Sequence, residues 1–71
     1  MEVLVFKTNV RSKKHINVIA NELQQFEDIN RWNFDLHDKD KILRIEADDL
    51  SPSIIERTLQ CAGYYCKELN E

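Results

Sequence analysis

The sequence predicts an α+β sandwich in which two helices cover one face of a four-stranded antiparallel sheet. Three observations lead to this prediction: short β-like runs, two amphipathic stretches with helical spacing, and turn signals between them. The chain has 71 residues, 42% of them apolar, with one Gly and one Pro, so disorder is excluded. Residues 1–71 are therefore expected to form one domain, near the lower size limit for an independent core.

The first part of the chain predicts a strand followed by a helix. Residues 3–7 are rich in β-branched and aromatic side chains, which fit a pleated sheet. Ser12 is expected to cap the next helix, because its hydroxyl can accept a hydrogen bond from a free backbone N–H group. Apolar side chains then recur at spacings of three and four, on one helical face. They are Ile16, Ile19, Leu23 and Phe26.

The middle of the chain predicts a β-hairpin. Trp32, Phe34 and Leu36 alternate with polar residues, which is the period of a half-buried strand. These three side chains are expected to point toward the helices. Residues 37–40 are polar and form the predicted tip, and residues 42–47 form the second arm.

The last part predicts a helix and a closing strand. Ser51 stands at the N-cap position and Pro52 at the first helical position, where its missing N–H is not needed. Gly63 is expected to end the helix in the left-handed conformation, and residues 64–69 to form the last strand. The order βαββαβ is that of a ferredoxin-like sandwich. Right-handed crossovers then place the first strand inside the sheet, beside the strand at 42–47.

Composition excludes several classes of function. No apolar run approaches the roughly 20 residues that span a bilayer, so membrane insertion is not expected. The net charge of −3 gives no general attraction to nucleic acid. Two cysteines without a secretory signal indicate reduced thiols and a cytoplasmic protein. The sequence contains neither a Gly-rich phosphate loop nor a Ser-His-Asp arrangement, so an enzyme is not expected.

With these elements the chain resembles the heavy-metal-associated (HMA) domains of copper chaperones and P-type ATPases, over nearly its whole length. Their pattern has a strand, then Met-x-Cys-x-x-Cys, a helix, a hairpin, a second helix and a closing Ala-Gly-Tyr. Val10 falls at the Met, Ser12 and His15 fall at the two Cys, and Tyr64 falls at the closing Tyr. The resemblance implies that Val10 and Tyr64 pack the metal-loop end of the domain. It also implies a loop whose two ligand positions are degenerate.

The degenerate loop argues against Cu(I) carriage, and no cofactor is expected. Cu(I) favours thiolates, a serine hydroxyl is a poor ligand, and one imidazole captures the ion far less well than two sulfurs. An alternative remains open, because the predicted topology brings His15, His37 and Cys61 to the same end. A site centred on His15 could bind Cu or Zn, although Zn usually needs three or four ligands. Cys66 is expected to point into the core.

The same end is predicted to be basic. Its cations are Arg11, Lys13, Lys14, Lys39 and Lys41. Lys13 and Lys14 stand at the start of a helix, where positive charge is slightly unfavourable. The placement is either a binding surface for acidic groups or an ordinary solvated charged surface. Chaperones of the family it resembles use such residues to dock acidic domains, so Arg11, Lys13 and Lys14 are the expected contact with a protein that has an acidic surface.

Three hypotheses follow from the sequence. The leading one is a metallochaperone-like domain that has lost its thiolate ligands and acts as a protein-interaction or regulatory module. The second is a heavy-metal (Cu or Zn) binding or transport protein with a His15-centred site. The third is a sensor of an anion or small ligand at the start of the first helix. A weak homodimer also remains open.

Overall fold

In the computed structural model, residues 2–69 are described and the elements follow the predicted order. The strands are β1 (Glu2–Thr8), β2 (Ile29–Asp35), β3 (Ile42–Ala47) and β4 (Cys66–Glu68). The helices are α1 (Lys13–Leu23) and α2 (Pro52–Cys61). The sheet order is β2-β3-β1-β4, and the three strand pairs are all antiparallel. The predicted βαββαβ sandwich is confirmed, with β1 inside the sheet beside β3.

The core lies between the sheet and the two helices. Phe6, Leu43 and Ile45 from the sheet are fully buried, as are Ile19 and Ile55 from the helices. These positions belong to the alternating and helical patterns of the sequence, so the predicted inward faces are correct. Cys66 is also buried in this core, as expected.

The edge strand β2 is packed less completely than the central strands. Trp32, Phe34 and Leu36 contact the core, but each remains partly exposed. Trp32 and Phe34 meet in a T-shaped contact with ring centroids 5.9 Å apart. The prediction that these side chains face the helices is confirmed, and their incomplete burial follows from the position of β2 at the edge of the sheet.

Two predicted boundaries differ from the observed ones. The helix predicted to reach Phe26 ends at Leu23, and Phe26 packs against the core from the turn that follows. The last strand is shorter than predicted because two backbone N–H groups are used elsewhere. That of Tyr64 donates to the carbonyl of Leu59 (2.9 Å), and that of Tyr65 donates to Asn9 Oδ1 (2.9 Å).

The start of α2 also differs in detail. Ser51 occupies the N-cap position with Pro52 after it, as predicted, but its hydroxyl makes no capping hydrogen bond. Instead Ser51 Oγ lies 2.9 Å from Ser53 Oγ. At the other end of α2, Gly63 adopts a φ of 95°, so the predicted left-handed corner is confirmed.

Candidate functional site

Three connections meet at one end of the domain, as the topology predicts. They are the β1–α1 loop, the β2–β3 tip and the corner between α2 and β4. The backbone N–H of Thr8 donates to the carbonyl of Asp40 in the tip (3.1 Å). The backbone N–H of Tyr65 in the corner donates to Asn9 Oδ1 in the loop (2.9 Å). Hydrogen bonds therefore join segments that are far apart in sequence at this end of the domain.

Thr8 is the residue that joins the loop to the tip. Its side chain is buried, with 4% of the residue exposed. Thr8 Oγ1 donates to the carbonyl of Lys41 (2.6 Å) and accepts from the backbone N–H of Val10 (3.2 Å). Lys41 has a φ of 49°, which is uncommon for a residue with a side chain. The hydroxyl thus satisfies a buried donor and stabilises an unusual turn.

Val10 and Tyr64 both pack against the core at this end of the domain. Val10 is fully buried and belongs to the core. Tyr64 is partly buried against the same core, and its ring contacts the imidazole of His15 with centroids 5.3 Å apart. The ring of His15 is therefore packed against Tyr64 beside the buried Val10.

Ser12 acts as the helix cap that the sequence predicts. Its backbone is extended, with φ −142° and ψ 163°, and Ser12 Oγ accepts from the backbone N–H of His15 (3.3 Å). The carbonyl of Ser12 accepts from the backbone N–H of Ile16 (3.1 Å). The hydroxyl of Ser12 is therefore engaged in starting α1.

His15 is half-buried, and its imidazole ring also takes part in a hydrogen bond. Its Nδ1 atom accepts a long hydrogen bond from the backbone N–H of Arg11 (3.4 Å). A neutral imidazole that accepts at Nδ1 carries its proton on Nε2, so neither nitrogen presents a free lone pair in this arrangement. Metal binding at Nε2 would require the other tautomer and the loss of the bond from Arg11.

His37 and Cys61, the other candidate ligands, lie on the surface. His37 is exposed in the tip, where its backbone N–H donates to Asp35 Oδ1 (3.1 Å). Cys61 is an exposed free thiol at the end of α2. Among residues 2–69, no group of three or more His, Cys, Asp or Glu side chains is placed to hold a metal ion.

Cys66, the second cysteine, is not available for ligation. Burial, together with the smaller effect of the negative charge of Glu56, raises the pKa of its thiol from 9.0 to about 12. The thiolate form that binds metals and reacts with electrophiles is therefore suppressed at physiological pH.

The basic surface is narrower than the sequence suggests. Arg11, Lys13 and Lys14 are exposed, and within residues 2–69 none of them takes part in an ion pair. Lys41, in contrast, is partly buried and donates from Nζ to the carbonyl of Leu36 (2.9 Å). We call Arg11, Lys13 and Lys14 the basic loop surface.

Among residues 2–69, the acidic residues of the tip form no ion pair with the basic loop surface. Asp38 Oδ1 accepts from the backbone N–H of Asp40 (2.8 Å), and Asp40 Oδ1 lies 3.5 Å from Lys7 Nζ. These carboxylates are thus committed to the turn and to β1. The three cations of the loop remain accessible to a partner.

Sequence reasoning missed Thr8 and Asn9, which hold this end together. A signal for Thr8 does exist. Leu4, Phe6 and Thr8 alternate on the buried face of β1, and a polar residue at a core position requires a hydrogen-bond partner. Asn9 carries no such signal, because its acceptor role depends on the distant corner at Tyr65.

Comparison with known proteins identifies the architecture. No protein-family model matches the sequence, and no curated protein matches it significantly. Among solved structures, the copper transporter domain Ccc2a of yeast covers 99% of the chain and 97% of its own length, with a TM-score of 0.84 and 12% identity. The chain has the fold of an HMA domain.

Two further structures support this HMA-like fold. The Zn(II) form of the N-terminal domain of ZntA has a TM-score of 0.78 and 19% identity, covering 93% of this chain and 89% of its own. The Cu(I)-loaded first domain of the human copper chaperone for superoxide dismutase has a TM-score of 0.76 and 14% identity. It covers 93% of this chain and 89% of its own.

At such low identities the likeness establishes the fold alone. It agrees with the resemblance found in the sequence, which rests on the same succession of strand, loop, helix, hairpin and closing corner. In the described part of the HMA-like fold, neither helix is long and apolar enough to cross a bilayer.

Proposed function

We propose that the chain is a non-catalytic, cytoplasmic module of metal-handling systems that docks onto an acidic protein surface through the basic loop surface. Its structural neighbours include copper and zinc proteins, which supports a place in that context. Its own loop differs at both ligand positions, which supports a role in protein interaction or regulation rather than in carrying the ion.

The observation that carries this proposal is the use of both degenerate positions for local structure. Ser12 Oγ caps α1, and His15 Nδ1 accepts from the N–H of Arg11. A serine N-cap typically stabilises a helix by about 1 kcal/mol, so Ser12 has a sufficient structural reason to be present. Neither bond requires a metal ion, and both hold the loop in place beside its cations.

The electrostatics of the loop point in the same direction. Three uncompensated cations stand at the N-terminus of α1, where backbone N–H groups already produce a positive potential. α1 has no acidic residue in its first turn. This surface repels a metal cation and attracts carboxylates, so an acidic partner fits it better than Cu or Zn does.

A metal titration tests the first half of the proposal. The reduced protein competes for Cu(I) with a strong chelator, in a Cys61→Ser background that removes the exposed thiol. We expect the protein with the wild-type loop and the His15→Ala protein to be equally unable to take Cu(I) from the chelator. One imidazole binds Cu(I) too weakly to compete. Ser12→Cys combined with His15→Cys is expected to compete well, since it supplies two thiolates in this loop. Strong competition by the wild-type loop, abolished by His15→Ala, would instead establish a His15-centred carrier.

A charge reversal tests the second half. Lys13→Glu with Lys14→Glu is compared with Arg57→Glu and Lys67→Glu, a control that makes the same charge change at exposed positions of α2 and β4. Proteins captured with the wild-type chain are identified, and their association rates are measured with each variant. The loop variant is expected to associate at least tenfold more slowly than the control, with a difference that shrinks as salt rises. A partner that binds both variants equally would contradict docking through the loop.

A further inference from the structure

The outer edge of β2 is an unused pairing surface. β2 lies at one side of the sheet, and no strand within residues 2–69 pairs with its outer side. Such an edge presents free backbone N–H and C=O groups and invites another strand. β2 has seven residues and contains neither Pro nor Lys, two residues that commonly protect edges. A register irregularity between Ile29 and Arg31 bends only its first part, which leaves residues 31–35 regular.

Apolar side chains are incompletely covered along this same edge. Trp32, Phe34 and Leu36 contact the core but remain partly exposed, and so does Ile16 on the neighbouring helix α1. Phe34, Leu36 and Ile16 line a shallow depression of about 450 Å³, with Lys13 and His37 also at its border. A strand added to β2 would cover these side chains and satisfy the free backbone groups at the same time.

We propose that the partner at this edge is a second copy of the chain, paired antiparallel β2 to β2 about a two-fold axis at Asn33. In antiparallel pairing about such an axis, residues equally distant from the central residue face each other. Each Arg31 then faces Asp35 of the partner subunit on the open face of the sheet. Each Trp32 faces Phe34 of the partner subunit on the helix side, which makes two aromatic cross-strand pairs.

The charges favour this register over its neighbours. With the axis at Asn33, Arg31 of each copy faces Asp35 of the other, which makes two pairs of opposite charge in the dimer. With the axis at Trp32 or Phe34, neither of them faces an opposite charge. The sequence of β2 is therefore self-complementary about its central residue.

The neighbouring strand and the domain ends extend this complementarity. Arg31 pairs in register with Glu46 of β3, with Arg31 Nε 4.0 Å from Glu46 Oε2. Across the interface the charges would alternate from Glu46 to Arg31 to the partner subunit's Asp35. The acidic residues Glu27 and Asp28 precede β2, and β2 ends at the end of the domain that carries the basic loop surface. Antiparallel pairing brings the acidic end of one copy to the basic end of the other.

The interface is small, so the dimer is expected to be weak. Pairing of about five residues on each side covers less than the roughly 1,200 Å² of a standard protein–protein interface. Self-association should therefore appear at high protein concentration and weaken as salt rises, because exposed charge pairs are screened.

Charge reversal on β2 provides the test. Arg31→Asp gives each chain two acidic residues at positions 31 and 35, and Asp35→Arg gives each chain two basic ones. Either variant alone would place like charges opposite each other at both symmetric contacts. We expect each to self-associate about tenfold less than the wild type, since a change of about 1.4 kcal/mol in the free energy of dimerisation has that effect. Sedimentation velocity over a wide concentration range measures it.

Mixing the two variants makes the test specific. In a heterodimer of Arg31→Asp with Asp35→Arg, both contacts again join opposite charges, so an equimolar mixture should associate at least as strongly as the wild type. Arg57→Asp, a reversal on the exposed face of α2, is the matched control and should behave as wild type. A wild-type chain that stays monomeric at the highest concentration would overturn the proposal. A mixture that associates no better than its separate components would overturn it as well.

Discussion

Replacing Thr8 by Val tests whether one hydroxyl holds the functional end together. The change keeps the shape of the side chain and removes its oxygen. Thr8 Oγ1 then no longer accepts from the backbone N–H of Val10 or donates to the carbonyl of Lys41. The consequences for the two partners differ. Val10 is fully buried, so its N–H loses its partner without access to water, whereas Lys41 is partly exposed and its carbonyl can be rehydrated.

The expected loss of stability is about 2–4 kcal/mol. A typical hydrogen bond contributes about 1 kcal/mol net, and a buried donor left without a partner costs about 1–3 kcal/mol. A domain of this size has an unfolding free energy of about 4–11 kcal/mol, so the variant should fold but with a much smaller margin. With a urea dependence of about 1 kcal/mol per molar, the midpoint should fall by about 2 M or more.

The matched control is Thr8→Ser, which keeps the hydroxyl and removes one methyl group. It should lose only about 1 kcal/mol, the typical contribution of a buried methyl. Urea unfolding followed by the fluorescence of Trp32 measures all three proteins. If Thr8→Val lost less than Thr8→Ser, or if the two lost equally, the hydrogen bonds of Thr8 would not be the source of the stability at this end.

Two other predictions concern the α2–β4 segment. Because burial raises the pKa of the Cys66 thiol from 9.0 to about 12, folded and unfolded chains both keep this proton below pH 9. Between pH 9 and 12 the unfolded chain loses the thiol proton more readily than the folded chain, so the free energy of unfolding should fall as pH rises. In a Cys66→Ala variant the urea midpoint should fall less steeply with pH over the same range. At Gly63, whose φ is 95° with no atom within 4 Å of an added Cβ, Ala should lower the free energy of unfolding by about 1–2 kcal/mol through backbone strain alone. Asn, which adopts the left-handed conformation more easily, should lower it less, and a loss of several kcal/mol for Ala would indicate a steric clash that the geometry excludes.

The fold could be predicted because its determinants are local. The alternation of Trp32, Phe34 and Leu36, the helical spacing around Ile19, and the Ser51-Pro52 start each specify an element within a few residues. Once the order βαββαβ is known, the handedness of the crossovers places the strands. Ser12 could be predicted as a cap for the same reason, since its partner N–H is only three residues away.

The contacts that shape the functional end could not be predicted, because their partners are distant in sequence. Asn9 binds the corner at Tyr65, and Thr8 binds the turn at Lys41. The positive φ values of Lys41 and Asp49 also escaped prediction, since neither residue is a Gly. At Lys41 the conformation is held by hydrogen bonds to Asp38 and Thr8. The sequence predicted five cations at this end, and only the structure showed that Lys41 is used internally.

The central position of β1 has a consequence for how the chain acquires its structure during synthesis. β1 pairs on one side with β3, where Glu2 meets Ala47, and on the other side with β4, where Phe6 meets Glu68. Within this domain β1 is synthesised before β3 and β4, so it must wait for β4 before both of its sides are bonded. Contacts of such large sequence separation slow folding relative to a helical bundle of the same length. During that interval the apolar face of β1 is exposed, which makes the incomplete domain prone to aggregation.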